Sequence, residues 1–327
     1  MSKNPLLSER GDRQHLALGT TEPAVRARLE RLEKDLVPAR LWRGDPSLWA
    51  ADPKVQASIR GALGWLHVAD KMEEVLDDLK GFAREVGAAG FRHVVHMGMG
   101  GSSLAPLVFQ RTFPVGAQAL PVTVLDTTDP ATIVHLERAV PLAQTLFIIA
   151  SKSGTTAEPA AFGEYFYAKL QALKGQRAGE NFVAITDPAT PLVEEGRRRH
   201  YRRVFLNFPD IGGRYSALSY FGLVPATLMG VDVAGLLDRA LHLVRACASC
   251  VPTAENPGIV LGAVMGELAR RGRDKVTLLV AEPVASLGMW LEQLMAESTG
   301  KAGTGLLPVA GEPLGDPGVY GEDRLFA

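Results

Sequence analysis

The sequence has few of the features that mark secreted, membrane-spanning or nucleic-acid-binding proteins. Its 327 residues contain only two cysteines, too few for a disulfide framework, which favours a reducing cytoplasm. No uninterrupted apolar run approaches the roughly 20 residues that a membrane span needs, and the polar first fifteen residues lack the apolar core of a secretory signal. With 35 basic and 36 acidic residues, the formal charge of −1 attracts neither nucleic acid nor a membrane surface.

Cys247 and Cys250 form a CxxC pair inside a helical pattern, which favours helix packing over redox chemistry.

The hydrophobic periodicity divides the chain into three segments. Residues 1–80 show helical spacing and predict an N-terminal helical arm. Over residues 81–250, short apolar runs alternate with helical patterns, which predicts an α/β domain with a parallel sheet flanked by helices. A second round of strand and helix begins at Lys275, so residues 251–327 predict two strands of a second α/β subdomain, and we expect that subdomain to be truncated at its C-terminus. The strand candidates of the first domain are His93–Met97, Val122–Asp126, Leu146–Ala150, Phe182–Thr186 and Val204–Leu206.

The most informative stretch is the loop after the third strand candidate. The apolar run Leu146–Ala150 is typical of a strand buried on both faces, and a helical pattern opens at Ala157. Between them lies a loop of small hydroxylic residues, glycine and one lysine: Ser151, Lys152, Ser153, Gly154, Thr155 and Thr156. Hydroxyls and backbone N–H groups at a helix N-terminus stabilise an anion. We favour a phosphate site over the alternative, an ordinary turn with Ser/Thr caps.

A glycine-rich turn follows the first strand candidate of the same sheet. In Gly98-Met99-Gly100-Gly101-Ser102-Ser103, the glycines let the backbone approach a ligand and the serines add donors at a helix N-terminus. Alone, this turn is equally consistent with a tight structural turn; paired with the Ser151–Thr156 loop, it predicts a second wall of a sugar-phosphate pocket. His93 and His96, three apart on the preceding strand, point to opposite faces and cannot share a metal ion.

Two further motifs carry candidate chemistry. Arg214 follows Gly212-Gly213 just before a helical pattern and could be aimed at a phosphate or an enediolate, the alternative being a surface arginine in a capping turn. Gln293 and Glu297 lie four apart near the end of a helix and therefore share a face. Glu297 is a candidate base for moving a proton between adjacent carbons, the alternative being an exposed glutamate near a helix C-terminus.

These four motifs together resemble a known family. GMGGSS, SKSGTT, GGRYS and EQLMAESTGK occur over Gly98–Lys301 in the order found in phosphoglucose isomerases, and the sequence is most similar to the isomerase portion of bacterial transaldolase–phosphoglucose isomerase fusions. The resemblance implies two sugar-isomerase (SIS), flavodoxin-like α/β subdomains, a homodimer, and interconversion of glucose 6-phosphate and fructose 6-phosphate. It implies neither a metal nor a nicotinamide cofactor.

The resemblance also implies roles for individual residues. Ser151, Ser153 and Thr156, with Lys152 in the same loop, would hold the phosphate. Gly101, Ser102 and Gly213 would lie near the sugar. Arg214 would stabilise a cis-enediolate, and Glu297, with Gln293 beside it, would move the proton between C2 and C1.

The sequence lacks two residues of the family pattern. The family uses a histidine soon after the ESxGK motif and a lysine on a late helix, whereas this sequence has no histidine after His242 and no lysine after Lys301. We therefore also consider a non-catalytic or truncated SIS-type module that binds a sugar phosphate. The combination of Glu297, Gln293 and Arg214 favours the enzyme.

Overall fold

The computed structural model describes residues 14–114, 116 and 119–327. Most of the N-terminal segment in which we found no secretory signal, residues 1–13, lies outside the described residues. The described α-helices are α1 (Glu22–Lys34), α2 (Val37–Trp42), α3 (Pro53–Arg60), α4 (Val68–Glu74), α5 (Leu76–Ala88), α6 (Leu104–Thr112), α7 (Pro130–Ala139), α8 (Ala157–Lys174), α9 (Pro191–Arg198), α10 (Tyr220–Leu228), α11 (Val233–Ala246), α12 (Pro257–Ala269) and α13 (Leu287–Thr299). The strands are β1 (His93–Gly98), β2 (Val122–Leu125), β3 (Thr145–Ala150), β4 (Phe182–Thr186), β5 (Arg203–Leu206), β6 (Lys275–Leu278), β7 (Leu307–Ala310) and β8 (Arg324–Phe326).

The chain divides into two compact units. The five-stranded unit comprises Gly61–Arg239 and Val280–Leu294, and the three-stranded unit comprises the residues up to Arg60 together with Ala240–Leu279 and Met295–Ala327. The boundary near residue 294 falls within α13. None of the described helices combines the length and hydropathy that a membrane crossing requires.

The five-stranded unit is built on a parallel sheet with strand order β2-β1-β3-β4-β5. Every residue of β3 is buried, which explains why its sequence is almost wholly apolar. Phe147 of β3 stacks on Phe166 of α8 and on Phe182 of β4, with ring centroids 4.7 and 5.4 Å apart. The prediction of a parallel sheet flanked by helices is confirmed.

Two stretches of continuous helical periodicity in this unit are not single helices in the structure. Within Ser216–Met229 the helix spans only Tyr220–Leu228, because Ser216 ends a 3₁₀ turn and Ser219 caps the new helix by accepting a hydrogen bond from the Phe221 N–H at 3.3 Å. The stretch Met72–Val86 is divided at Val75 into α4 and α5. At each break the chain changes direction, although the hydrophobic spacing continues on both sides. Periodicity alone therefore does not reveal the break.

The three-stranded unit contains a parallel sheet of order β7-β6-β8. The sequence predicted β6 and β7 but missed β8, a three-residue strand whose Arg324 binds the Glu312 carboxylate at 2.8 Å and the Thr277 hydroxyl at 2.7 Å. Val25 of α1 packs with Val264 and Leu268 of α12 in a small core.

The placement of the CxxC pair within a helix was wrong. Helix α11 ends at Ala246, so Cys247 and Cys250 both follow it, and both are free thiols.

Candidate active site

The two polar loops predicted to form one pocket follow neighbouring strands. Strand β1 ends at Gly98 and leads through the 3₁₀ turn Gly100–Ser102 into α6, while β3 ends at Ala150 and leads through Ser151–Thr156 into α8. Because Gly98 pairs with Ala150 in the parallel register, both loops leave the sheet side by side at its carboxyl edge. This edge is where open α/β sheets bind their ligands.

The Ser151–Thr156 loop is a tight, internally bonded turn. Buried Ser151 donates its N–H to the Ile185 carbonyl at 3.0 Å and its hydroxyl to Thr156 Oγ1 at 3.0 Å. Gly154 has φ +67°, and a Cβ there would lie 2.9 Å from Thr190 Cβ, so the turn requires glycine on both counts. Ser153 is exposed, and its Oγ lies 2.8 Å from Thr155 Oγ1.

The N-terminus of α8 is open to a ligand. Thr156 is the N-cap residue, and its side chain makes no capping hydrogen bond to this 18-residue helix. Since the first N–H groups of any helix have no intrahelical acceptor, they present a partial positive charge beside the hydroxyls of the loop. The loop and the helix end together can receive an anion.

The ammonium of Lys152 has its partners outside the loop. Its ammonium forms an ion pair with the Asp187 carboxylate and donates to the Pro209 carbonyl at 2.9 Å. Its role as a phosphate ligand stays a prediction; the structure shows a lysine that already has a carboxylate partner.

The glycine-rich turn after β1 lies against the turn that carries Arg214. A Cβ at Gly101 would lie 2.3 Å from the carbonyl carbon of Gly213 and 2.8 Å from the Arg214 nitrogen. The Ser216 hydroxyl is within hydrogen-bonding distance of the carbonyls of both turns, at 2.7 Å from Gly213 and 3.3 Å from Gly101. Arg214, at the centre of the 3₁₀ turn Gly213–Tyr215, is therefore fixed relative to Gly101 and Ser102.

Helix α13 adds Gln293 to the same cluster. Gly100 has φ +53°, and a Cβ there would lie 2.8 Å from Gln293 Nε2, so the glutamine amide covers the turn closely. Glu297 lies four residues further along α13 and is exposed, and its main-chain carbonyl accepts a hydrogen bond from the Lys301 ammonium at 3.0 Å. The five-stranded unit thus brings together Gly101, Ser102, Gly213, Arg214 and Gln293 at one edge of its sheet.

The sequence did not indicate the buried residue that supports the glycine-rich turn. His96 is fully buried, and its Nε2 donates to the Ser102 carbonyl at 2.7 Å; burial lowers its pKa to about 4. His93, on the opposite face, contacts Thr123 Oγ1 at 2.9 Å, and burial lowers its pKa as well. The opposite orientation of the two rings was predicted, whereas the link from His96 to Ser102 had no signal in the sequence.

Residues 64–71 support the Arg214 turn and the segment that precedes it. The ring of Trp65 stacks on Tyr215 with centroids 5.5 Å apart and planes 21° apart. The Gly64 N–H donates to the Asp210 carbonyl at 2.9 Å, and the Lys71 ammonium lies 3.5 Å from the Asp210 carboxylate. Trp65, in the segment predicted as a helical arm, therefore packs beside the Arg214 turn within the five-stranded unit.

Comparison with known proteins identifies similar sequences and folds. A family model described as phosphoglucose isomerase matches residues 62–306. Glucose-6-phosphate isomerase of Synechococcus sp. (strain JA-3-3Ab) is 31% identical over 250 residues, 72% of this chain and 46% of the relative. Glucose-6-phosphate isomerase of Rubrobacter xylanophilus is 32% identical over 271 residues, 78% of this chain and 62% of the relative. The chain thus spans about half the length of the curated relatives it matches.

Solved structures show the same fold. A hypothetical protein from Thermus thermophilus superposes with a TM-score of 0.74 at 27% identity, covering 88% of this chain and 67% of the other. A glucose-6-phosphate isomerase from Chlamydia trachomatis superposes with a TM-score of 0.57 at 24% identity, covering 89% of this chain and 58% of the other.

Proposed function

The chain belongs to the phosphoglucose isomerase family, and from that premise we propose that it interconverts glucose 6-phosphate and fructose 6-phosphate. One observation supports this proposal above the others: the turns of Gly101 and Arg214 and the amide of Gln293 meet beside the hydroxyl-rich loop Ser151–Thr156. An anion-binding loop and a fixed arginine at the same edge of a sheet are what an aldose–ketose isomerase of phosphorylated sugars needs.

We assign the 6-phosphate to Ser153, Thr156 and the N-terminus of α8. Ser151, which donates its N–H to the Ile185 carbonyl and its hydroxyl to Thr156 Oγ1, orients Thr156 from within the loop. Because Thr156 Oγ1 already accepts the hydroxyl hydrogen of Ser151, the hydrogen of Thr156 itself can be donated to a phosphate oxygen. Hydrogen bonds from these hydroxyl and N–H groups to a charged phosphate are stronger than bonds between neutral groups, which suits a site that must hold the substrate by one end. Lys152 belongs to the same loop, and its ammonium is paired with Asp187.

Glu297 acts as the base that takes the proton from C2 of the aldose and returns it to C1. As the C2 proton leaves, negative charge develops on the oxygens of a cis-enediolate, and the Arg214 guanidinium stabilises it. Gln293, Gly101, Ser102 and Gly213 shape the space that the sugar carbons occupy. The isomerisation moves one proton from C2 to C1 and a second from the oxygen on C2 to the oxygen on C1. It leaves the overall oxidation state of the sugar unchanged, so the proposal needs no nicotinamide cofactor, and, as the family resemblance implies, it includes no metal.

Proton exchange with solvent tests this proposal. We expect wild-type protein incubated with fructose 6-phosphate in heavy water to place deuterium at C1 of the ketose or C2 of the aldose, and to form glucose 6-phosphate, as followed by NMR. Glu297→Gln should abolish exchange while retaining fructose 6-phosphate binding, and the matched control Glu282→Gln, an exposed residue, should exchange like wild type. Binding without exchange in wild type would favour the alternative, a non-catalytic sugar-phosphate-binding module.

The oligomeric state, the cellular location and the segment bounds are further proposals and predictions. We propose a homodimer acting in the cytoplasm, which analytical ultracentrifugation and cell fractionation test. The segment bounds 1–80, 81–250 and 251–327 stay predictions that limited proteolysis can check.

A further inference from the structure

Lys152 connects two loops through its ammonium group. Besides the ion pair with Asp187, the ammonium donates to the Pro209 carbonyl at 2.9 Å. The main chain is joined at the same place, since the Lys152 carbonyl accepts the Asp187 N–H at 3.1 Å and the Thr186 hydroxyl at 3.3 Å. Both the backbone and the side chain of Lys152 are therefore tied to the ends of neighbouring strands.

Asp187 depends on this lysine. Its side chain is 14% exposed, and its second oxygen, Oδ1, is buried and makes no hydrogen bond with any residue that the structure describes. A carboxylate in such surroundings is costly unless a cation is paired with it. If the Lys152 ammonium moved to a phosphate, the Asp187 carboxylate would lose this partner.

The segment that Pro209 belongs to leads directly to Arg214. Asp210, the next residue, is held by the Gly64 N–H at 2.9 Å and lies 3.5 Å from the Lys71 ammonium. Ile211 then closes a turn by donating its N–H to the Phe208 carbonyl at 3.1 Å. The Lys152 ammonium is thus a brace between the Ser151–Thr156 loop and the segment that ends in the Arg214 turn.

We propose that Lys152 and Asp187 are a positioning pair that holds the Ser151–Thr156 loop at a fixed distance from Arg214, and that the Lys152 side chain is not a phosphate ligand. This inference rests on the proposed function, because it assigns the loop to the phosphate and Arg214 to the reacting carbons. A pair with no net charge adds little attraction for an anion, whereas its geometry sets the spacing between the two ends of the substrate.

The two possible roles of Lys152 predict opposite results for Asp187→Asn. If the pair is a brace, Lys152→Met and Asp187→Asn break the same connection, and each weakens fructose 6-phosphate binding about tenfold. The double variant then binds no more weakly than the weaker single variant. If Lys152 is a phosphate ligand, Asp187→Asn releases its charge, so binding stays constant or tightens while Lys152→Met alone weakens it.

The experiment measures fructose 6-phosphate and inorganic phosphate binding by calorimetry on the full chain, together with kcat and KM, for wild type, both single variants and the double variant. Lys169→Met is the matched control, because it breaks a different ion pair of the same unit, with Glu137 at 2.9 Å, and should bind like wild type. The thermal midpoint of each variant shows whether it is folded at the temperature of the binding assay.

Non-additive weakening in both single variants, with kcat also reduced, is the expected result. Tighter or unchanged binding in Asp187→Asn overturns the proposal. Dissociation constants that stay at the wild-type value while the thermal midpoints fall also overturn it, since they assign the pair a purely structural role. If wild type binds fructose 6-phosphate without isomerising it, the proposed activity fails, and the binding comparison still decides the role of the pair.

Discussion

Gly101 and Gly213 pack backbone against backbone, so closely that a Cβ on Gly101 would lie 2.3 Å from the carbonyl carbon of Gly213. The two residues stand more than a hundred positions apart in the sequence and belong to different motifs. Their contact fixes the distance between the turn assigned to the sugar and the turn that carries Arg214. No side chain larger than hydrogen can be placed at Gly101 without moving one of these turns.

Replacing Gly101 by alanine should separate the two turns. We expect Gly101→Ala to lower the free energy of unfolding by about 1–3 kcal/mol through overpacking. Isomerase activity should fall by about ten- to a hundredfold, because misplacing a catalytic group by about 1 Å can lower the rate about a hundredfold. Urea denaturation and initial rates measure the two effects.

Gly87→Ala is the matched control. Gly87 lies in α5 of the same unit, and a Cβ there would have no neighbour within 4 Å. Since alanine is the better helix former, this variant should be more stable than wild type by up to about 1 kcal/mol, with unchanged activity. Wild-type rate and stability in Gly101→Ala would contradict the assigned role of the contact.

Arg214→Lys tests the stabilisation of the enediolate. Lysine keeps the positive charge but loses the planar, forked geometry of the guanidinium. We expect kcat to fall by about 10²–10³ with little change in KM, because the lost interaction forms chiefly in the transition state. The exposed Arg197, paired with Glu194 at 2.7 Å, provides Arg197→Lys as a control with wild-type kinetics. A raised KM at constant kcat would instead assign Arg214 to ground-state binding.

Thr156→Val tests the phosphate loop with little change in shape. The variant removes the hydroxyl that accepts from Ser151 and is proposed to donate to the phosphate. A lost hydrogen bond to a charged group is worth about 1.5–3 kcal/mol, so fructose 6-phosphate should bind roughly ten- to a hundredfold more weakly, as calorimetry would show. Thr227→Val, in which the lost hydroxyl donates to the Leu223 carbonyl within α10, should bind as wild type does. Equal affinities in the two variants would argue against Thr156 as a ligand.

The sequence was sufficient to predict the elements whose signal is local. The apolar run at β3 and the glycine after β1 mark where strands end, and α8 begins at Ala157 as predicted. The carboxyl-edge location of the two loops then followed from the parallel alternation of strands and helices. Strand β8 was missed because three residues are too short to show a periodic pattern.

The contacts that fix the site geometry could not be predicted in the same way. The packing of Gly101 on Gly213 and of Gln293 over Gly100 depends on how distant segments fold together, and a single sequence carries no record of that pairing. The same is true of Lys152, whose position in a hydroxylic loop suggested a phosphate as its partner, and whose ammonium is paired in the structure with the Asp187 carboxylate after the next strand. Residue types therefore indicated the chemistry, and the tertiary contacts determine how it is arranged.

His96 makes the stability of the protein depend on pH. Burial lowers its pKa from 6.5 to about 4, so the folded state favours the neutral ring that donates to Ser102. Between these values the unfolded chain binds a proton that the folded chain does not, and stability must fall as the pH decreases. From pH 7 to pH 5 we expect His96 to account for a loss of about 2 kcal/mol. The lowered pKa of His93 acts in the same direction.

His96→Gln isolates this contribution, because the glutamine amide can still donate to the Ser102 carbonyl but does not titrate. The difference in unfolding free energy between pH 7 and pH 5, measured by urea denaturation, should therefore shrink by about 2 kcal/mol relative to wild type. His135→Gln, at an exposed position on α7, should leave that difference unchanged. An identical pH dependence in wild type and His96→Gln would mean that the folded and unfolded states bind the His96 proton equally. Burial would then not lower the pKa of His96, which contradicts the prediction.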